Sequence, residues 1–274
     1  MIKLLATDLD RTLLPNGDQP YDGSMSLFSD IVKENKMTLA FVSGRHLALV
    51  REAMEEYKTP EPDYVISDVG TTLYKRVDGD FARDESWDAF IKKNTENWDT
   101  SNFKEKIKEE DSLRLQEEEK QNIFKLSYYI DDLEKSEKIV KNVEDVIKSI
   151  CECEDALIVY SVDETAGQGL LDILPKVATK QMAIEYLREK LNITKDEVLY
   201  AGDSGNDILP LTQGYFAVMV RNTIKTVQDT VLEIAQKKGI EERICTAKGG
   251  KDLNGYYVSG IIEALIKFGF VSEK

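Results

Sequence analysis

The chain has 274 residues and a formal net charge of −15 at pH 7, with 42% hydrophobic and 32% charged residues. This composition is typical of a globular protein with a sizeable core, and no run reaches the roughly 18 apolar residues of a membrane span. An acidic chain repels nucleic acid and anionic lipid, because their phosphates require basic surfaces. Acidic residues also follow MIKLLAT, where a signal peptide would continue apolar. We therefore expect a cytoplasmic protein, monomeric or a small homo-oligomer, that binds neither nucleic acid nor membranes.

Cysteine and histidine are scarce, which restricts the available chemistry. The chain has three cysteines and one histidine, His46. Cys151 and Cys153 are spaced too closely for a common zinc site, so we interpret these two and Cys245 as reduced structural thiols. A single histidine excludes a His-rich metal site. Carboxylates, lysine and hydroxyl groups remain as the candidate functional groups.

Short apolar runs alternate with helical patterns at both ends of the chain, which predicts parallel βαβ units. Strands are predicted over residues 2–7, 38–43 and 64–67, and again over 198–203 and 216–220. Helices are predicted over 180–191 and 256–268. We therefore expect an α/β fold with a Rossmann-like parallel-sheet core.

The pattern changes between about residues 75 and 175. Charged helical segments over 88–98, 101–110 and 133–150 are interleaved with predicted strands over 125–131, 156–162 and 170–175. Such an α+β pattern within an α/β chain predicts an inserted domain. The expected core comprises residues 1–78 and 176–274, and the insertion comprises residues 79–175. We interpret the charged run 113–121 as a solvated loop or helix face.

Two carboxylates, Asp8 and Asp10, follow the first apolar run. Side chains alternate along a strand, so both can point the same way while Leu9 packs in the opposite direction. Ligands of parallel sheets bind at the carboxyl ends of the strands, where this pair would lie. The alternative is a turn in which Asp10 only caps the following residues.

Three further groups of polar residues stand at strand ends or helix starts. Ser43, Gly44 and Arg45 follow the second strand, where a hydroxyl and backbone N–H groups can hold an anion, although an ordinary helix cap would look the same. Lys180 opens a predicted helix and could equally be a surface charge. The most informative group is the turn GDSGND, which contains Asp203, Asn206 and Asp207.

Electrostatics favour a cation at this edge of the sheet. Two like charges about 4 Å apart repel by about 4 kcal/mol at an effective dielectric constant of about 20. A cluster of carboxylates therefore cannot stay ionised without a counter-charge. Hard oxygen ligands favour Mg²⁺, and Lys180 can supply further positive charge. The predicted metal ligands are Asp8, Asp10, Asp203 and Asp207.

This equipment suits phosphoryl transfer, in which catalysis is mainly positioning and charge neutralisation. An aspartate can also attack phosphorus and form an aspartyl-phosphate. We assign Asp8 as the nucleophile and Asp10 as the acid and base that handles the proton. Ser43 and Lys180 complete the predicted catalytic set.

The order DLDRT, VSGR, Lys180 and GDSGND resembles the four motifs of the haloacid dehalogenase superfamily of phosphohydrolases. The segments PDYVISDVGTTLY, KLSYYID, DILPKVATKQMAIEYL and the C-terminal SGIIEALIKFGF are similar to the sucrose-phosphate phosphatase branch. Ser43 stands where many relatives have threonine, and Arg11 where a smaller or polar residue is more usual. The loop VDETAGQG also departs from that branch, because it is longer and lacks the lysine that members of the branch often carry there.

This resemblance implies a Mg²⁺-dependent phosphatase acting on a phosphorylated sugar, sucrose-6-phosphate or a related saccharide phosphate, with an insertion that forms a cap and reads the sugar. It implies Arg45 near the phosphate and four cap residues as sugar contacts, namely Lys125, Tyr128, Tyr129 and Asp172. A phosphomannomutase-type mutase is an alternative, but it would need two or more cap arginines, whereas Arg76, Arg83 and Arg114 are scattered. A non-enzymatic phospho-accepting module or sugar-binding relative is a third interpretation.

Overall fold

The computed structural model describes residues 1–95, 98–107, 112–150, 156–163 and 167–272. The chain divides into two compact units. The core unit comprises Met1–Arg83 and Lys180–Lys274, and the inserted unit comprises Asp84–Thr179. The chain enters the inserted unit after Arg83 and leaves it after Thr179. The expected boundaries, after residues 78 and 175, were a few residues earlier. Residues 80–83 were expected in the insertion, but they form a strand that pairs with the core sheet.

The first part of the chain alternates strands with helices and ends in a hairpin. Its elements are β1 (Leu4–Asp8), α1 (Met25–Glu34), β2 (Thr38–Val42), α2 (Leu47–Tyr57), β3 (Tyr64–Ser67), β4 (Thr72–Val77) and β5 (Asp80–Arg83). All five residues of β1 are buried, as expected for a strand of a parallel sheet that is covered on both faces. His46 immediately precedes α2 and is partly exposed.

Within its described residues, the inserted unit contains four strands and three α-helices. Its elements are α3 (Glu85–Lys93), α4 (Thr100–Ile107), β6 (Leu113–Leu115), β7 (Leu126–Ile130), α5 (Ser136–Ile150), β8 (Ala156–Asp163) and β9 (Gln168–Pro175). The sheet is antiparallel in the order β6-β7-β9-β8. The interpretation of residues 113–121 as a loop or helix face was wrong for Leu113–Leu115, because β7 offers this segment a hydrogen-bonding partner. Cys151, Cys153 and residues 164–166 lie outside the described residues.

The last part of the chain returns to the α/β pattern. Its elements are α6 (Lys180–Lys190), β10 (Val198–Gly202), α7 (Ile208–Leu211), β11 (Phe216–Met219), α8 (Lys225–Lys238), β12 (Ile244–Thr246) and α9 (Val258–Lys267). Helix α6 buries Ala183, Ile184 and Leu187 at the spacing of a single helix face. The third cysteine, Cys245, lies in β12 as a buried free thiol.

In the part of the chain that the structure describes, the core sheet has eight strands in the order β12-β11-β10-β1-β2-β3-β4-β5. The six strands from β12 to β3 are parallel, and the hairpin β4–β5 extends the sheet antiparallel. This arrangement confirms the predicted α/β class with a Rossmann-like core. Because β1, β2 and β10 run in the same direction, their carboxyl ends meet at one edge of the sheet. Among the helices of the described residues, none combines the length and apolar character needed to cross a membrane.

Candidate active site

The carboxyl edge of the core sheet gathers polar side chains from three neighbouring strands. Asp8 ends β1 and pairs in register with Val42 of β2, so Ser43 comes directly beyond this pair. Asp203 follows β10, which pairs with β1 on its other side. Asp8, Asp203 and Asp207 are all buried, with 0–6% of their surface exposed. These carboxylates therefore interact where water screens their charges weakly.

Lys180 is the buried cation at the centre of this group, and only 2% of it is exposed. Its Nζ donates to Asp8 Oδ1 at 2.7 Å, to Asp207 Oδ1 at 2.8 Å and to Asn206 Oδ1 at 2.8 Å. Burial disfavours the charged lysine, but the charges of Asp207 and Asp8 outweigh it and raise the pKa of Lys180. The side chain consequently stays protonated and bridges β1 to the turn after β10.

Asp207 accepts hydrogen bonds on both of its carboxylate oxygens. Besides Lys180, Oδ1 accepts the Tyr200 hydroxyl at 2.6 Å. Oδ2 accepts the backbone N–H groups of Asp203 and Ser204 and the Ser204 hydroxyl at 2.9–3.2 Å. Burial would raise the pKa of Asp207, but the Lys180 charge and these donors lower it. Asp207 thus holds both the lysine and the turn 203–206.

Gly202 makes this close packing possible. A Cβ atom at position 202 would lie 2.6 Å from Asp207 Cβ and 2.8 Å from Asp207 Cγ, which is shorter than real side chains tolerate. Glycine is therefore required at the end of β10 for the carboxylate to approach the strand.

Asp8 and Asp203 have environments that oppose their ionisation. Burial raises the pKa of Asp8 well above its ordinary value, against the Lys180 charge, and the charges of Asp207, Asp203 and Asp10 raise it further. Burial and then the charge of Asp207 raise the pKa of Asp203 to about 7, although its Oδ1 accepts the Thr12 hydroxyl at 3.1 Å. The site therefore lacks positive charge even with Lys180 in place.

These features fit a divalent metal ion. Asp8, Asp203 and Asp207 each offer a carboxylate oxygen, and the three oxygens lie within 4.8 Å of one another. A divalent cation would offset the repulsion that raises the pKa of Asp8 and Asp203. Oxygen ligands without histidine or thiolate are those preferred by hard cations such as Mg²⁺.

Asp10 does not join this cluster of three, although it was predicted as a metal ligand. Its carboxylate accepts Arg45 Nη2 at 2.6 Å, Arg45 Nε at 2.9 Å and Asn16 Nδ2 at 2.6 Å. Asp10 is 41% exposed at its side chain, compared with 8% for Asp8. The reason is that the bidentate guanidinium from the adjacent strand end attracts Asp10 toward Arg45. Arg45, expected near the phosphate, is thus paired with a carboxylate.

Ser43 and Gly44 begin the loop that leads from β2 to α2. Ser43 is fully buried, and its hydroxyl oxygen accepts the backbone N–H of Arg45 at 3.1 Å. The backbone N–H of Ser43 donates to Ile66 at 2.8 Å, and its carbonyl accepts the N–H of Val69 at 3.1 Å. Gly44 is exposed. The hydroxyl of Ser43 is therefore held in place by the ends of β2 and β3.

Several residues with a structural part in the site were missed in the sequence, and Tyr200 and Asn16 are two of them. Tyr200 is an ordinary buried position of the strand pattern, and only the structure reveals its bond to Asp207. Asn16 bridges the backbone N–H of Arg11, at 2.7 Å, to Asp10. An asparagine six residues after Asp10 carries no recognisable signal, because its position depends on the path of the loop.

The candidate sugar contacts lie on two different faces of the inserted sheet. Tyr128 alternates with Leu126 and Ile130 and packs with them in the apolar core of the inserted unit. Burial raises its pKa to about 12, and its hydroxyl has no hydrogen-bond partner among the described residues. The expectation that Tyr128 contacts substrate conflicts with this placement, because side-chain alternation along β7 turns it toward the core.

Lys125, Tyr129 and Asp172 share the opposite face. Asp172 is the register partner of Ser127 and accepts its hydroxyl, and Lys125 Nζ lies 3.8 Å from Asp172 Oδ1. The Tyr129 hydroxyl accepts Lys120 Nζ at 2.6 Å and donates to Glu117 Oε2 at 2.7 Å. Lys125 is only 4% exposed. This face therefore combines charged and hydroxyl groups that can hydrogen-bond to a polyol.

A largely parallel sheet with this aspartate and lysine cluster at its carboxyl edge is the arrangement of a phosphohydrolase of the haloacid dehalogenase type. The chain belongs to the sucrose-6F-phosphate phosphohydrolase family, which it matches over residues 1–269. This finding confirms the resemblance seen in the motifs, and the chain is a phosphatase.

Individual relatives support the same assignment. A haloacid dehalogenase-like hydrolase of Nitrosococcus oceani is 38% identical over 97% of this chain and 71% of the relative. Mannosylfructose-phosphate phosphatase of Agrobacterium fabrum is 30% identical over 75% of this chain and 77% of that protein. Sucrose-phosphatase 1 of Nicotiana tabacum is 30% identical over 80% of this chain, which spans only 50% of the tobacco protein.

Solved structures show the same fold. The sucrose-phosphatase of Synechocystis sp., determined with sucrose and phosphate, superposes with a TM-score of 0.77 at 23% identity and covers 99% of this chain and 100% of its own. A haloacid dehalogenase-like hydrolase of Bacillus subtilis gives a TM-score of 0.65 at 16% identity over 99% of this chain and 95% of its own. At these identities the similarity concerns the fold alone.

Proposed function

We propose that this protein is a Mg²⁺-dependent phosphatase that hydrolyses a phosphorylated disaccharide or a related glycoside phosphate through an aspartyl-phosphate. The buried contact between Lys180 and both Asp8 and Asp207 is the observation that carries this proposal. It is the arrangement of a nucleophilic carboxylate beside a fixed positive charge that phosphoryl transfer needs.

In the proposed reaction, an Asp8 oxygen attacks phosphorus and the bond from phosphorus to the sugar oxygen breaks. Asp10 donates a proton to that leaving oxygen. Water then attacks the aspartyl-phosphate while Asp10 takes up its proton, which regenerates Asp8 and releases phosphate. Lys180, Asn206 and the Ser43 hydroxyl are the proposed contacts of the phosphate oxygens, with Gly44 beside them.

The proposed ligands of Mg²⁺ are Asp8, Asp203 and Asp207, and the bound ion would neutralise charge on the phosphate. Lys180 favours the ionised form of Asp8 against the effect of burial and orients its carboxylate, since their side chains are hydrogen-bonded and buried. Asp10 acts from the exposed side of the rim. To transfer its proton it has to leave the bidentate contact with Arg45, so we propose that Arg45 moves to the phosphate when substrate binds.

We propose that the inserted unit serves as the cap that selects the sugar, through the face that carries Lys125, Tyr129 and Asp172. The choice of a disaccharide-type substrate is supported by the relatives, which include phosphatases named for sucrose phosphate and for mannosylfructose phosphate. The mutase is less well supported, because Arg76 and Arg83 lie on β4 and β5 of the core unit. Only Arg114 of the three arginines lies in the inserted unit.

The test is phosphate release from a panel of phosphorylated mono- and disaccharides, including sucrose-6-phosphate and mannosylfructose phosphate, with Mg²⁺ and with chelator. We expect chelator-sensitive hydrolysis with a preference for disaccharide phosphates. Asp8→Asn should be inactive, whereas Asp10→Asn should accumulate phosphorylated protein that mass spectrometry detects. Activity that survives the chelator would contradict the metal site, and full activity of either variant would contradict the assigned roles. Isomerised sugar phosphate without free phosphate would favour the mutase.

A further inference from the structure

Arg11 is a charged residue at the rim that the proposed reaction does not use. It directly follows Asp10 and has a backbone φ of 58°, a left-handed conformation that is unfavourable for residues with a Cβ atom. Its N–H donates to Asn16 Oδ1 at 2.7 Å, and its carbonyl accepts Asn222 Nδ2 at 2.6 Å. The backbone at position 11 is thus held from both sides, which determines where the side chain starts.

The guanidinium of Arg11 approaches the carboxylate of Asp203. Arg11 Nε lies 3.7 Å from Asp203 Oδ2, a distance of an ion pair and longer than a hydrogen bond. The Arg11 side chain is 37% exposed, whereas that of Asp203 is 7% exposed. Arg11 therefore faces a largely buried carboxylate from the solvent side of the site.

Each of the four carboxylates at the rim has a basic neighbour, and two of them share the same one. Lys180 contacts Asp8 and Asp207, Arg45 contacts Asp10, and Arg11 faces Asp203. Asp203 is also one of the three residues that could hold a metal ion together. A divalent cation and the Arg11 guanidinium would consequently share one carboxylate and repel each other.

We propose that Arg11 acts as a built-in counter-charge for Asp203 in the metal-free protein and thereby weakens the binding of the divalent cation. The inference rests on the proposed metal site. The metal affinity of this chain is then set partly by Arg11, a basic side chain that does not bind the metal ion itself. Removing the charge of Arg11 should tighten metal binding and should destabilise the metal-free protein more than the metal-loaded one.

The test is calorimetric titration of metal-stripped protein with MgCl₂ at constant pH and ionic strength, together with thermal unfolding with and without Mg²⁺. We expect Arg11→Gln to bind Mg²⁺ roughly five- to tenfold more tightly than wild type, and its melting temperature to rise more on adding Mg²⁺. Arg11→Lys keeps the charge and should stay close to wild type. Arg11→Asn is a second neutral variant, because asparagine tolerates the left-handed backbone well.

Arg51→Gln is the matched control, since Arg51 forms an exposed ion pair with Asp80 in the same unit, and it should not change Mg²⁺ affinity. Unchanged or weaker Mg²⁺ affinity in both neutral variants would overturn the inference, as would equal tightening in Arg11→Lys. Weaker binding of inorganic phosphate at unchanged Mg²⁺ affinity would also overturn it and would make Arg11 a phosphate contact. Failure of wild type to bind Mg²⁺ would overturn the proposed metal site, and this inference with it.

Discussion

Lys180 Nζ and Asp8 Oδ1 lie 2.7 Å apart although 172 positions separate the two residues in the chain. The inserted unit occupies most of that interval. The contact connects the start of α6 to the end of β1 within the core unit, and the proposed chemistry uses the same two side chains.

Replacing Lys180 by methionine should therefore affect both stability and activity. Loss of the cation leaves Asp8 and Asp207 buried without their basic partner, which we expect to destabilise the protein by about 3 kcal/mol at pH 7. Turnover should fall by at least about 100-fold, because a fixed charge at the phosphate is lost. Urea unfolding and phosphate release measure the two effects. Lys237→Met on the exposed face of α8 is the control, and near-normal turnover of Lys180→Met would contradict the assignment.

Gly202→Ala should disturb Asp207 without altering any polar group. The added Cβ would lie 2.6 Å from Asp207 Cβ, so either the strand or the carboxylate has to shift. We expect destabilisation of about 2 kcal/mol and lower turnover, since Asp207 orients Lys180. The matched control is Gly205→Ala in the turn that follows β10, where a Cβ meets nothing within 4 Å. Equal behaviour of the two variants would show that the close approach at position 202 is unimportant.

Glu185 offers a test of how α6 is anchored. Its carboxylate accepts Arg188 Nη2 at 2.9 Å and the Tyr215 hydroxyl. Burial would raise the pKa of Glu185, but these hydrogen bonds outweigh it and lower the pKa. A lowered pKa contributes stability above the unfolded value of about 4.3, and this contribution is lost as pH falls through the folded pKa.

Glu185→Gln should consequently destabilise the protein by about 1 kcal/mol at pH 7, and the difference from wild type should shrink below about pH 4. Denaturant unfolding of both proteins across this range measures the effect. Glu233→Gln, in an exposed pair with Lys237, should differ little from wild type at any pH. A difference that grows toward acidic pH would contradict the lowered pKa.

Lys125 and Tyr128 lie on different faces of the inserted sheet, so we expect substitutions at the two positions to affect KM differently. Lys125→Met should raise KM for the preferred sugar phosphate by roughly tenfold while leaving hydrolysis of a small aryl phosphate unchanged, because only the sugar would lose a charged contact. Tyr128→Phe removes a buried hydroxyl that has no partner among the described residues and should leave both KM values unchanged. A raised KM in Tyr128→Phe alone would contradict the proposed division of the two faces.

Much of the core could be predicted because apolar runs in a parallel sheet are continuous and end in polar residues. The predicted strand over 38–43 corresponds to β2 at Thr38–Val42, and that over 198–203 corresponds to β10 at Val198–Gly202. The structure of residues 113–121 was harder to predict. A short edge strand such as β6 has few residues to form a pattern, and its formation depends on pairing with β7.

The amino-acid sequence alone is enough to identify the chemical groups of the site: several carboxylates and one serine where parallel strands end, and one lysine at the start of a helix. Which basic side chain pairs with which carboxylate depends on the tertiary structure. Lys180 contacts Asp8 and Asp207, whereas Asp10 pairs with Arg45 and lies outside the cluster of potential metal ligands. The physical reason is that alternation along a strand selects a face, but distances between side chains depend on the packing of segments far apart in the chain.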